Sequence, residues 1–82
     1  MRVQKAIALA RTTVTTAATE HLRKQIVCGS VQPGETLPES RVGEMLGFSR
    51  APIREALTLL EREGLVEFDR RGTARVCDFD LE

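Results

Sequence analysis

The sequence predicts a mainly α domain with a small β-hairpin: a winged helix-turn-helix of three helices plus a wing. Three observations lead there. Residues 39–60, ESRVGEMLGFSRAPIREALTLL, hold two stretches with apolar residues at helical spacing, split by Gly47. A third apolar-periodic stretch precedes them and stops at Gly29. From Leu65 to Cys77 the pattern turns strand-like and is broken by Arg70-Arg71-Gly72, the composition of a hairpin turn.

Residues 1–15 are expected to be a flexible N-terminal arm, disordered or partly helical. Its alanines favour helix, but Thr12, Thr13 and Thr15 are β-branched and weaken it. Arg2, Lys5 and Arg11 could reach phosphate from such an arm, against the plainer reading of a loose terminus. The folded domain is expected over residues 16–78. Its helix 1 runs from Thr16 or Ala17 to Cys28, with Ala18, Leu22 and Ile26 inward and Gly29 as the stop signal. His21, the only histidine, is placed on the surface of this helix. In the loop SVQPGETLP, Pro33-Gly34 marks a turn, Val31 and Leu37 enter the core, and Thr36-Leu37 pairs briefly with the wing.

Helix 2 is expected to begin near Glu39, with Val42, Met45 and Leu46 forming its apolar stripe. Gly43 falls mid-helix, where glycine costs roughly 1 kcal/mol relative to alanine, and is read as a close crossing by the next helix. Gly47 ends the helix, Phe48 plugs the turn, and Ser49 is placed as N-cap of helix 3. Helix 3 runs from Arg50 to about Glu63, with Ile53, Ala56, Leu57 and Leu60 inward and Gly64 as its cap. Pro52 fits because it falls in the first turn, where a missing N–H breaks no helical bond. In the hairpin, Phe68 faces inward and residues 73–77 return.

The outward face of helix 3 carries the chemistry. Ser49, Arg50, Ala51 and Arg54 lie in its first turn and a half. A recognition helix touches base edges in the DNA major groove with such N-terminal residues. An arginine there can donate a planar pair of hydrogen bonds to guanine O6 and N7. The helix N-terminus and the Ser49 hydroxyl suit a phosphate. Arg41 is a phosphate candidate, and Arg70, Arg71 and Gly72 are candidates for backbone or minor-groove contact at the wing tip. Glu55, beside Arg54, is read as orienting an arginine. The plainer readings are solvated arginines and an ordinary turn. The agreement of turn, cap and wing weighs against them.

The segment PGETLPESRVGEMLGFSRAPIREALTLLEREGLVEFDRRGTARV resembles the DNA-binding domain of the GntR family of bacterial transcription regulators, in its FadR-like branch. The carrying residues are Pro33-Gly34, Leu37-Pro38, Ser40-Arg41, Gly47, Ser49-Arg50, Pro52, Arg54 to Leu57, Glu63 to Val66 and Arg71-Gly72, within about Leu22 to Val76. The resemblance implies a reader of a palindromic operator through helix 3 and the wing, working as a dimer, with base and phosphate contacts on Arg41, Ser49, Arg50, Ala51, Arg54 and Gly72. It also implies a helical effector and dimerisation domain beyond residues 79–82, which would begin the linker to it. This domain alone would then be a monomer. Gly43 stands where the family usually has alanine, and Phe48 where valine is usual.

Composition bounds the alternatives. With 82 residues the chain makes one small domain, and with no Trp or Tyr its core must be aliphatic. Net charge is zero, 12 basic against 12 acidic side chains, which speaks against strong non-specific nucleic-acid affinity. Arg41, Arg50, Arg54, Arg70, Arg71 and Arg75 are nevertheless gathered on the elements expected to face DNA. A winged-helix protein-interaction module that does not bind DNA is the competing reading. Cys28 and Cys77 are too few for a disulfide framework, and no run reaches the ~18 apolar residues of a membrane span, so a cytoplasmic protein is expected. No metal set, cofactor motif or nucleophile–base pair points to an enzyme.

Overall fold

The computed structural model describes the backbone of residues 2–78 and the side chains of residues 13–78. The elements in order are α1 (Arg2–Val27), β1 (Thr36–Leu37), α2 (Glu39–Leu46), α3 (Arg50–Arg62), β2 (Val66–Phe68) and β3 (Ala74–Val76). The strands form one antiparallel sheet in the order β1-β3-β2. The wing is therefore a hairpin with the short Thr36–Leu37 strand added at its edge, as the loop sequence suggested.

Helix α1 begins at Arg2, not at Thr16 or Ala17, so the expected arm over residues 1–15 is helical from residue 2. No glycine or proline interrupts residues 2–27, and threonine costs a helix only a few tenths of a kcal/mol per residue. The threonines also disguised the inward face. Thr15 and Thr19 are buried in line with Ala18, Leu22 and Ile26. The Thr19 hydroxyl donates to the Thr15 carbonyl at 2.7 Å, which satisfies that buried donor within the helix. The side chains of Arg2, Lys5 and Arg11 lie outside the described residues, as do residues 79–82.

The core lies where α1 and α3 cross, closed by the sheet. Leu22 of α1, Val42 of α2, and Ile53, Ala56, Leu57 and Leu60 of α3 are buried, together with Val31, Leu37, Val66, Ala74 and Val76. Burying a leucine or isoleucine fully contributes about 1.5–3 kcal/mol, so this aliphatic set holds the domain without Trp or Tyr. Phe48 and Phe68 pack against its margin. Met45, expected in the apolar stripe of α2, turns outward instead and is 62% exposed. In α2, Val42 and Leu46 at i and i+4 are enough to face α3, and Met45 falls to the side of them.

Helix α3 ends in a Schellman arrangement: Gly64 N–H bonds the Glu61 carbonyl at 2.9 Å and Leu65 N–H bonds the Leu60 carbonyl at 3.0 Å. Its acidic C-terminal end is also compensated. Arg23 of α1 grips the Glu63 carboxylate through two bonds of 2.8 and 2.6 Å. The Arg23 guanidinium holds the Glu63 carboxyl below its ordinary range.

Candidate nucleic-acid interface

The helix-turn-helix is set by contacts at Gly43. Helix α2 closes at Gly47, with φ 75° and ψ 25°, and the Gly43 carbonyl accepts from the Gly47 N–H and, at 2.9 Å, from the Phe48 N–H. The turn thereby folds back over α2. A Cβ at residue 43 would stand 2.7 Å from the Phe48 carbonyl oxygen and 3.9 Å from Ile53 Cγ1. The close approach expected at Gly43 exists, but its nearest atom belongs to the turn backbone rather than to α3.

Ser49 occupies the N-cap position of α3 in an extended conformation, φ −71° and ψ 168°, yet its hydroxyl makes no capping hydrogen bond. That corrects the expected capping role. The first amides of α3 lack this side-chain acceptor and point out of the helix start, the geometry that suits an anion. Pro52 is buried in the first turn, where it donates nothing.

Arg50, Ala51 and Arg54 line one shallow, open concavity with Glu39 and Glu55. The acid that meets Arg54 is Glu39, the first residue of α2. Arg54 Nε donates to Glu39 Oε2 at 2.8 Å. The arginine side chain is 71% exposed and the glutamate 12%. The Glu39 carboxylate raises the Arg54 pKa above its ordinary value. Arg41 is exposed but lies elsewhere: it lines a separate apolar hollow with Leu22, Val31, Leu37 and Met45.

At the wing tip, Asp69 ties down the backbone. Its Oδ1 accepts from Arg71 N–H at 2.8 Å and Thr73 N–H at 3.0 Å, and its carbonyl accepts from Gly72 N–H at 3.0 Å. Gly72 has φ +81°, the left-handed position of a type I turn continued by a bulge. The amides of Thr73 and Arg71 hold the Asp69 carboxyl below its ordinary range. Arg70 and Arg71 are exposed at this tip. Arg75 is paired across the hairpin with Glu67 at 2.7 Å, its register partner. Arg41, Arg50, Arg70 and Arg71 make no ion pair among the described residues.

Sequence reasoning missed Glu39 and Asp69. Asp at the first position and Gly at the fourth of a tight turn is a recognisable signal for the second. Glu39 and Arg54 lie 15 residues apart, and no local pattern joins them.

Three helices, a tight turn, an arginine-bearing helix start and a hairpin with a basic tip define a winged helix-turn-helix domain. The chain belongs to the GntR family of bacterial regulatory proteins: the family pattern described as "Bacterial regulatory proteins, gntR family" matches residues 14–76. It is 46% identical over 51 residues to the HTH-type transcriptional regulator YdhC of Bacillus subtilis, covering 62% of this chain and 23% of that protein. It is 43% identical over 61 residues to the HTH-type transcriptional regulator Mce2R of Mycobacterium tuberculosis, covering 73% and 25%. Among solved structures, a GntR family member from Pseudomonas syringae superposes with a TM-score of 0.74 at 33% identity, over 80% of this chain and 28% of that one. The chain spans about a quarter of the length of these curated relatives.

Among the described residues no helix is long and apolar enough to cross a membrane, and no group of three His, Cys, Asp or Glu could hold a metal ion.

Proposed function

We propose that this chain is the operator-binding domain of a transcription regulator and reads double-stranded DNA sequence-specifically, without catalysis. Helix α3 enters the major groove with Arg50 and Arg54 as base readers and Ala51 against a base methyl. Ser49 and the start of α3 take a phosphate, Arg41 takes a phosphate at the edge of the footprint, and Arg70, Arg71 and Gly72 lie on the backbone or in the minor groove. The observation that carries this reading is the shared concavity of Arg50, Ala51 and Arg54 at the open N-terminal end of α3. The relatives named as transcriptional regulators support it. The FadR-like branch, a palindromic operator and a dimeric full-length regulator follow from the motif resemblance, with dimer contacts supplied outside this domain.

A second reading, a protein-interaction module, draws on zero net charge and on the pairing of Arg54 and Arg75 with acids. Salt dependence separates the two. Three phosphate-facing arginines (Arg41, Arg70, Arg71) would give a slope of about −3 in log K against log salt on short duplexes. A slope near zero, with binding retained, overturns the DNA reading.

A further inference from the structure

We infer that Glu39 is a positioning residue for base readout: it aims the Arg54 guanidinium and keeps it off the phosphate backbone, so that it sets specificity without touching DNA. The inference rests on the proposal that α3 reads bases.

The geometry is unusual for a surface pair. The acid is nearly buried, at 12% exposure, while the cation it holds is 71% exposed. Glu39 is fixed at the start of α2, and Arg54 sits on α3, so the pair spans the two helices of the motif. Among the described residues, only Nε of Arg54 is engaged, by one carboxylate oxygen at 2.8 Å. The two terminal nitrogens remain to donate together, which is what guanine O6 and N7 require. A long arginine side chain in water samples many rotamers, and ordering it on binding weakens affinity by about 2- to 12-fold. A pre-aimed arginine loses less.

The charge acts in a second way. Glu39, with Glu55, places negative charge in the concavity that also holds Arg50 and Arg54. A phosphate approaching Arg54 there meets a carboxylate, whereas a neutral guanine edge does not. Specificity is a difference between affinities, and a repulsive group aimed at the wrong ligand widens it. Zero net charge and a paired Arg54 are then consistent with a domain built for low non-specific affinity.

The test is a double-mutant cycle in the 82-residue chain, read by fluorescence anisotropy on a selected half-site duplex, on the same duplex with the guanine replaced, and on random duplex. The variants are Glu39→Ala, Glu39→Gln, Arg54→Ala and Glu39→Ala/Arg54→Ala, each with a thermal melt. Arg54→Ala is expected to lower guanine discrimination by about 5- to 150-fold. Glu39→Ala is expected to lower it by about 2- to 12-fold and to raise affinity for random duplex with a salt slope steeper by about one. Adding Glu39→Ala to Arg54→Ala should leave discrimination unchanged. Glu39→Gln keeps an acceptor for Nε and removes the charge, so it should retain most of the discrimination while still raising random-duplex affinity. It also covers the case in which Glu39→Ala fails to fold. Unchanged or improved discrimination in Glu39→Ala, or an equal loss with and without Arg54, overturns the inference while leaving base readout by Arg54 intact. A wild-type chain that ignores the guanine replacement removes the base-reading proposal and this inference with it.

Discussion

Replacing Gly43 with alanine sets two effects of similar size against each other. Alanine is favoured over glycine inside a helix by about 1 kcal/mol. The new methyl would stand 2.7 Å from the Phe48 carbonyl oxygen, well inside the ordinary contact distance of about 3.5 Å. The turn cannot simply swing away, because the Phe48 N–H is bonded to the Gly43 carbonyl at 2.9 Å. Overpacking of this kind costs typically about 1–3 kcal/mol. The expected net result is destabilisation by about 1 kcal/mol, or a melting temperature lower by about 4–8 °C for a domain of this length. The resemblance noted alanine and valine as the usual family residues at 43 and 48. The contact is with the backbone of residue 48 and not with its side chain, so Phe48→Val should leave most of the Gly43→Ala loss in place. Urea and thermal melts by circular dichroism on the two single variants and the double variant measure this. A Gly43→Ala variant that melts higher than wild type would refute the close approach and reduce Gly43 to a helix defect.

Other outcomes follow from the same geometry. Arg54→Ala should cost about 1–3 kcal/mol on one operator position and little elsewhere, whereas equal loss on every sequence would remove its base-reading role. Arg70→Ala should weaken binding evenly across sequences and flatten the salt slope by about one, as titrations at several salt concentrations would report. Asp69 and Glu63 have folded pKa values below their ordinary range. Their contribution is therefore fully present above the unfolded carboxylate range of about pH 4 and is lost as pH falls through the lower folded values. Urea midpoints should fall as pH drops below about 4. Asp69→Asn should reduce that dependence, and an unchanged profile in the variant would contradict the wing-tip account.

Much of the fold was legible because its signals are local. Ile53, Ala56, Leu57 and Leu60 repeat at helical spacing, and all four are buried. Gly47 and Gly64 stop their helices where a stop was expected, and even the two-residue strand at Thr36–Leu37 was visible beside Pro33-Gly34. The failures have physical causes. Thr12, Thr13 and Thr15 read as weakening the helix, although α1 runs through all three. Met45 matched the apolar period of α2 but lies beside the contact, since period alone does not fix the width of a buried stripe. At the candidate site, residue types were readable and partners were not. Arg54 was named from its position on α3, but its acid comes from another helix. Arg41 shares a motif with the other arginines and yet opens onto a different hollow.

The measurement that tests base readout most directly is a selection of bound duplexes from a random DNA pool, at moderate salt, with this chain and with its Arg50→Ala/Arg54→Ala variant. The account predicts a short enriched half-site containing guanine that disappears in the variant. If the wild-type chain enriches nothing, and still enriches nothing once fused to a dimerising segment, sequence-specific reading by α3 is contradicted.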